Sequence, residues 1–143
     1  MREVALDRFD LYELCTQTPE RDVELLRAIH SAAPKILGED FAGGAALARA
    51  WVARIRGGRA IAVDRDREAL ARARGVHGVR SVECICSDVL EVSARADVVV
   101  ALNFSLNEWH ARRDLVRYLS HVRPVASARE VGASFCVLVV ARR

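Results

Sequence analysis

Short apolar segments alternate with segments of helical periodicity along most of the chain. The apolar segments are "PKILGED" (34–40), "RAIAVD" (59–64), "VRSVECICSD" (79–88), "ADVVVALNFSL" (96–106) and "ASFCVLVVA" (133–141). Runs of this length that are rich in β-branched residues predict buried strands, and the third, 79–88, has the alternating character of a strand. Because helical segments separate them, the pattern predicts an α/β fold, a three-layer αβα sandwich in which helices cover both faces of a mostly parallel sheet.

The segments between the strands have the spacing of amphipathic helices. In "ERDVELLRAIHSA" (20–32), Val23, Leu26 and Ile29 fall on one helical face, and Thr18-Pro19 is a typical helix start. Further helices are predicted over "GAALARAWVARI" (44–55), "DREALARAR" (66–74) and "EWHARRDLVRYLSHV" (108–122). The order of elements is therefore one helix followed by a repeated alternation of strand and helix.

Composition and charge narrow the class of protein. A chain of 143 residues, 52% hydrophobic and 29% charged, predicts a single domain over residues 1–143. The net charge is +3, and Lys35 is the only lysine, so the positive charge is almost all arginine spread along the chain. This spread favours a compositional habit of the source genome over a nucleic-acid surface, and we expect no nucleic-acid partner.

The N-terminus lacks the apolar core of a signal peptide, and no apolar run is long enough to cross a bilayer. We therefore expect a cytoplasmic protein without a membrane partner. The cysteines Cys15, Cys84, Cys86 and Cys136 have no CxxC spacing, which favours reduced thiols. A metal held by Cys84 and Cys86 on one strand face is the alternative, and we expect no metal.

Polar side chains follow the predicted strands at their carboxyl ends, where ligands bind in open parallel sheets. They are Glu39 and Asp40 after the first strand, Asp64 after the second, Asp88 after the third, and Asn103, Ser105 and Asn107 after the fourth. Several carboxylates at one edge need hydrogen-bond donors, and a ligand with an amine and a ribose supplies them. The alternatives are local: Asp64 as a helix cap, Asp88 as a turn residue, and Asn103 as a partner for backbone groups.

The turn after the first strand helps to choose the ligand. Asp64 lies 64 − 43 = 21 residues beyond Gly43, the separation at which an acid binds ribose hydroxyls in dinucleotide folds. However, "FAGGAAL" (41–47) lacks the G-x-G-x-x-G fingerprint of a pyrophosphate loop, and acids precede it. The loop therefore favours a cationic ligand over a dinucleotide, and argues against a nucleotide-dependent oxidoreductase.

Residues 9–123 resemble the class I S-adenosylmethionine (SAM)-dependent methyltransferases, which have a Rossmann-like fold. The resemblance is closest to a bacterial subgroup with "EDF-small-G" in place of the acid-x-Gly-x-Gly-x-Gly loop. Glu39 then falls on the acid, and Phe41, Gly43 and Ala45 fall on the three glycines. SAM is the cofactor that the resemblance implies.

The family's roles carry over position by position. They imply that Glu39 reaches the methionine amine, that the Gly43 loop packs on the sugar, that Asp64 binds both ribose hydroxyls, and that Asp88 contacts the adenine. "ALNFSLNEW" (101–109) resembles the family's fourth motif, which would place Asn103 in the methyl-transfer pocket. The full set of cofactor residues implied is Glu39, Phe41, Gly43, Asp64, Arg65, Asp88, Val89 and Asn103.

The resemblance extends to the N-terminal segment. "DLYELCTQTPE" (10–20) is similar to a segment that folds over the cofactor in related enzymes, which implies an N-terminal lid and helix over about 9–32, with Tyr12 and Gln17 as lid residues. Core packing is the alternative for Tyr12. For Trp109, packing at the start of its helix is favoured over substrate contact.

The implied reaction is methyl transfer to a small-molecule acceptor by in-line displacement, which depends mainly on holding two reactants in position. A general base is required only if the acceptor must lose a proton first. Candidates by location alone are Tyr12, Asp40, Asn107, Glu108 and His110, and the sequence does not choose among them. Sequence alone also does not name the acceptor.

The end of the chain departs from the family. Its sheet usually has seven strands, the last two forming a hairpin, whereas here a fifth predicted strand is followed closely by Arg142-Arg143. We therefore expect five strands in the order 3-2-1-4-5, without the C-terminal hairpin and with "FCVLVV" (135–140) as a bare edge. Such an edge invites pairing, so a homodimer through it is one expectation. A noncatalytic cofactor-binding or partner-binding remnant of the family is the alternative to an active enzyme.

Overall fold

A computed structural model describes residues 6–30, 33–75, 81–103, 105–125, 128–134 and 137–142. The helices are α1 (Arg8–Thr16), α2 (Pro19–Ile29), α3 (Ala46–Arg54), α4 (Arg67–Gly75) and α5 (Arg112–Val125). The strands are β1 (Ile36–Asp40), β2 (Arg59–Asp64), β3 (Val82–Cys86), β4 (Val98–Ala101), β5 (Ala128–Ser134) and β6 (Val137–Arg142). Two short 3-10 helices, Val89–Glu91 and Ser105–Glu108, follow β3 and β4.

Four strands form a parallel sheet in the order β3-β2-β1-β4. Leu37 in β1 pairs with Ala60 of β2 on one side and Val98 of β4 on the other. All three side chains are buried, because helices cover both faces of this sheet. The predicted α/β sandwich and the order 3-2-1-4 are confirmed.

The core has one apolar cluster on each face. On one face, Val23 and Leu26 of α2 and Trp51 of α3 belong to the cluster that contains Leu37. Trp51 is completely buried, and its indole Nε1 donates to the carbonyl of Lys35 at 3.0 Å. On the other face, Tyr118 of α5 belongs to a second cluster with residues of β2 and β4.

The prediction was wrong at the C-terminal end of the sheet. The chain forms two strands there, and the sheet order is β3-β2-β1-β4-β6-β5, with β6 antiparallel to both β4 and β5. Only two residues join β5 to β6, which is too short for a parallel crossover, so the strands must form a hairpin. The hairpin that we expected to be missing is present, and it pairs directly with β4.

This hairpin was not predicted because "AREVGAS" (128–134) lacks an apolar run, and because the single predicted strand 133–141 extended across the turn between β5 and β6. Residues 135 and 136, including Cys136, lie outside the described part of the chain. Since β6 has a neighbour on both sides, the edge at this end of the sheet is β5. A homodimer stays a prediction, without the bare apolar edge that first suggested it.

The N-terminal segment folds into two helices. Asp7 caps α1, where its side chain accepts hydrogen bonds from the backbone N–H groups of Phe9 and Asp10, and Asp10 in turn accepts from the N–H of Asp7. No residue of α1 is buried. In the described part of the chain, no helix is long and apolar enough to cross a membrane.

Candidate functional site

A cavity of about 760 Å³ lies at the carboxyl edge of the parallel strands. Its size falls in the range of about 300–1,000 Å³ that is typical of small-molecule sites. Its lining comes from α1, the loop after β1, the ends of β2, β3 and β4, and the start of α4. The lining residues are Arg8, Phe9, Tyr12, Glu13, Gln17, Phe41, Ala42, Gly43, Gly44, Asp64, Arg65, Asp66, Ala69, Arg72, Ser87, Val89, Asn103, Ser105, Glu108 and Trp109.

The loop after β1 has an unusual backbone. Phe41, Gly43 and Ala45 all have left-handed conformations, with φ values of 57°, 53° and 54°. These are the three positions that the resemblance aligned with glycines, and only Gly43 among them is a glycine in this chain. For a residue with a Cβ this conformation costs roughly 1–2 kcal/mol. The loop therefore stores strain at Phe41 and Ala45.

Asp64 connects this loop to the end of β2. One carboxylate oxygen accepts from the N–H of Gly43 at 2.7 Å, and the other accepts from the N–H of Asp66 at 2.8 Å. Asp66, and not Asp64, caps α4 by accepting from the N–H groups of Glu68 and Ala69. A carboxylate has about four lone-pair directions, so Asp64 keeps the capacity to accept two further hydrogen bonds from a ligand.

Glu39 lies beneath the cavity and does not line it. Its side chain is buried and accepts from the N–H of Ala48 at 2.8 Å. Ala45 at the start of α3 has no side chain that could accept this hydrogen bond, so Glu39 caps the helix from β1. Burial raises the pKa of Glu39 to about 8, while the Ala48 hydrogen bond and the charge of Arg49 act in the opposite direction.

Asp88 has local partners. Its side chain accepts from the N–H of Leu90 at 2.9 Å, at the start of the 3-10 helix, and forms an ion pair with Arg65. It is absent from the cavity lining, whereas Arg65 and Val89 beside it do line the cavity. The turn role that we considered for Asp88 is therefore present in the structure.

Asn103 lies at the end of β4 in a left-handed conformation (φ 53°), which asparagine tolerates better than most residues. It lines the cavity, as do Ser105, Glu108 and Tyr12. Among the five candidates for a general base, Tyr12 and Glu108 thus reach the cavity, and Asp40, Asn107 and His110 do not. In the described part of the chain, no group of three or more His, Cys, Asp or Glu side chains could hold a metal.

The sequence did not indicate an aromatic cluster beside the loop. The rings of Phe41 and Trp109 meet edge to face with centroids 6.1 Å apart, and Tyr118 contacts both. The hydroxyl of Tyr118 donates to Asp40 at 2.7 Å, while burial raises the pKa of Asp40 to about 6. The position of Tyr118 in α5 has ordinary helical spacing. Its role therefore becomes visible only through the hydrogen bond to Asp40, which is distant along the chain.

α1 covers one side of the cavity and is held there by charge. Arg72 of α4 pairs with Asp7 and Asp10, and Glu13 pairs with Arg49 of α3 at 2.7 Å. The guanidinium of Arg72 also lies over the ring of Phe9. Tyr12 and Gln17 line the cavity, and their role as lid residues stays a prediction. Because α1 has no fully buried residue, we expect these ion pairs to be its main attachment.

We predict that Arg72→Met releases α1. Amide exchange of residues 9–16 should accelerate roughly five- to tenfold, because the variant loses two ion pairs and a cation–π contact. High salt should accelerate exchange in the wild type in the same direction. Arg67→Met is the matched control, since Arg67 is an exposed α4 residue without an ion pair to any described residue. Equal exchange in both variants would show that other contacts hold α1.

No family model and no curated protein sequence matches the chain. Solved structures do match. CalS10, an amino pentose methyltransferase from Micromonospora echinaspora solved with SAM, superposes with a TM-score of 0.67 at 14% identity, over 87% of this chain and 53% of its own. This chain thus spans about half the length of CalS10.

Two further structures give the same picture. Magnesium protoporphyrin IX methyltransferase (ChlM) from Synechocystis PCC 6803, solved with SAM, has a TM-score of 0.63 at 12% identity, over 99% of this chain and 87% of its own. Mitomycin 7-O-methyltransferase MmcR has a TM-score of 0.61 at 17% identity, over 81% of this chain and 33% of its own. The fold of this chain is therefore that of the class I SAM-dependent methyltransferases.

Proposed function

We propose that this protein is a cytoplasmic SAM-dependent methyltransferase that acts on a small-molecule acceptor. The observation that carries the proposal is the geometry at Asp64. In a methyltransferase fold, the carboxylate at the end of β2 lines a cavity of about 760 Å³ and fixes the left-handed loop through Gly43. SAM or its product is bound in several of the similar structures, such as CalS10 and ChlM.

The residues around the cavity fit SAM. Asp64 would accept from the ribose hydroxyls with its remaining lone pairs, and Val89 would offer an apolar surface to the adenine. The loop at Gly43 would pack against the sugar and the methionine. When bound, SAM supplies a methyl group on a positively charged sulfur, ready for in-line displacement by the acceptor.

The chain's own contribution would be to hold the reactants together and to exclude water. α1 can cover the cavity through Tyr12 and Gln17. For an acceptor that loses a proton, Glu108 is the better base of the two that line the cavity, because a carboxylate accepts a proton whereas the hydroxyl of Tyr12 already carries one. Glu108 would take up the proton that the methyl acceptor loses as the new bond forms.

Calorimetric titration with SAM and with S-adenosylhomocysteine (SAH) tests the proposal. We expect saturable binding of both, with dissociation constants on the order of micromolar, which corresponds to about 8 kcal/mol. A folded protein, judged by circular dichroism, that binds neither compound would contradict the proposed function. Binding would justify a search for the acceptor.

A noncatalytic cofactor-binding protein is the second candidate, and two observations favour it. Glu39 and Asp88, which would contact the amine and the adenine in the resemblance, do not line the cavity. A search for SAM turnover with a panel of acceptors separates the two functions, since the noncatalytic protein would bind SAM and return it unchanged.

A further inference from the structure

Two half-buried aromatic side chains, Phe41 and Trp109, line the cavity and contact each other. We call them the aromatic wall. Phe41 follows β1 directly, and Trp109 follows the 3-10 helix after β4. Asn103 and Glu108 line the same cavity. The wall therefore joins the loop after β1 to the segment that follows β4.

The aromatic wall is supported from behind. Tyr118, which is completely buried, stacks on Trp109 with centroids 5.8 Å apart and meets the edge of Phe41 at 5.7 Å. Its hydroxyl is fixed by the hydrogen bond to Asp40. A rigid aromatic surface of this kind binds a flat ring with little loss of side-chain freedom.

The wall is kept at a cost to the fold. Phe41 has a left-handed backbone that a glycine would adopt without strain. The indole Nε1 of Trp109 is buried and has no hydrogen-bond partner among the described residues. Strain and an unpaired buried donor are features that concentrate at functional sites. Their coincidence at two touching rings indicates that this surface binds a ligand.

The charges around the cavity select the ligand's chemistry. Its three lining arginines are already paired: Arg8 with Glu68, Arg65 with Asp88, and Arg72 with Asp7 and Asp10. The carboxylate of Glu108 has no such partner in the described part of the chain. An anionic acceptor would meet an unpaired negative charge, whereas a hydroxyl or amino group could donate to it.

We propose that the aromatic wall binds the methyl acceptor, and that this acceptor is an uncharged planar aromatic ring bearing a hydroxyl or amino group. The inference rests on the proposed function. For a hydroxyl, the oxygen–methyl bond forms as the methyl–sulfur bond breaks, and the hydroxyl proton passes to Glu108. Phe41 and Trp109 are then specificity-determining residues, and Tyr118 is a positioning residue.

The two indole N–H signals of the wild-type protein allow a direct test by ¹H–¹⁵N NMR. The chain has two tryptophans, and Trp51 is completely buried with its indole bound to Lys35, so it serves as an internal control. With SAH present, we expect 2-naphthol to shift the Trp109 signal saturably and to leave the Trp51 signal in place. The saturated analogue 2-decalol and the anion 2-naphthoate should bind roughly tenfold more weakly.

Two variants make the test specific. Trp109→Leu and Phe41→Gly should each weaken 2-naphthol binding roughly tenfold, and Phe41→Gly does so while relieving the backbone strain. Equal binding of naphthol and decalol, or a response at Trp51 alone, would overturn the aromatic assignment. If SAH binds and naphthol does not, the acceptor class is wrong and the proposed function stands. If SAH itself does not bind, the proposed function fails and the inference fails with it.

Discussion

Asp64→Ala is expected to weaken the binding of SAH by at least about 100-fold. A hydrogen bond to a charged group contributes about 1.5–3 kcal/mol, and two ribose hydroxyls would lose such a partner. The loss of about 3 kcal/mol corresponds to a factor of more than 100 in the dissociation constant. The change also removes the acceptor of the Gly43 N–H, which would loosen the loop beneath the ligand.

Asp97→Ala is the matched control for this experiment. Asp97 likewise accepts two backbone N–H groups, from Lys35 at 2.8 Å and Ile36 at 2.9 Å, but at the beginning of β1. It does not line the cavity. Both variants should lose stability in urea, and only Asp64→Ala should lose affinity. If calorimetry gives the same loss of affinity for both, the effect of Asp64 is on folding and the cofactor assignment is wrong.

Glu39→Gln is expected to stabilise the ligand-free protein at alkaline pH. Burial raises the pKa of Glu39 from its ordinary value of 4.5 to about 8, so between these values the folded protein holds a proton that the unfolded chain releases. The free energy of unfolding therefore falls as the pH rises through this window, and the contribution is fully lost above pH 8. From pH 5.5 to 8 the loss would be about 3 kcal/mol, at 1.36 kcal/mol per pH unit.

The glutamine variant cannot ionise, and its side-chain oxygen can still accept from Ala48. Its free energy of unfolding should therefore depend much less on pH than that of the wild type. Urea denaturation at several pH values measures the difference, with Glu83→Gln as the control at an exposed position of β3. Parallel pH profiles for wild type and Glu39→Gln would mean that Glu39 is ionised throughout this range, and that the helix cap outweighs burial.

Much of the fold could be predicted from local pattern. The runs that became β1, β2 and β4 carry buried side chains, and their length and alternation with helices were enough to predict a covered parallel sheet, whereas β3 at the edge has partly exposed side chains such as Glu83. The hairpin was missed because β5 has no apolar run, and its place depends on backbone pairing with β6.

The candidate site was likewise predictable from the sequence only in part. Its location followed from the sequence, because strand ends meet at one edge, and Phe41, Gly43, Asp64, Arg65, Val89 and Asn103 do line the cavity. The sequence could not tell that Glu39 points beneath the loop to Ala48, or that Asp88 is occupied by Arg65 and Leu90. Which donor a carboxylate meets depends on how folding places groups such as the Ala48 N–H and the Arg65 guanidinium around it.

The sequence by itself determined the layers and the edge at which a ligand can bind, since these follow from hydrophobic periodicity and the direction of the strands, while the order of the parallel strands was implied by the resemblance to the methyltransferases. Only the tertiary structure decided that Phe41 and Ala45 adopt a glycine's conformation, that Tyr118 supports the aromatic wall, and that ion pairs hold α1 over the cavity. The physical reason is that burial is encoded by each residue's own chemistry, whereas strain, support and charge pairing exist only between residues that folding brings together.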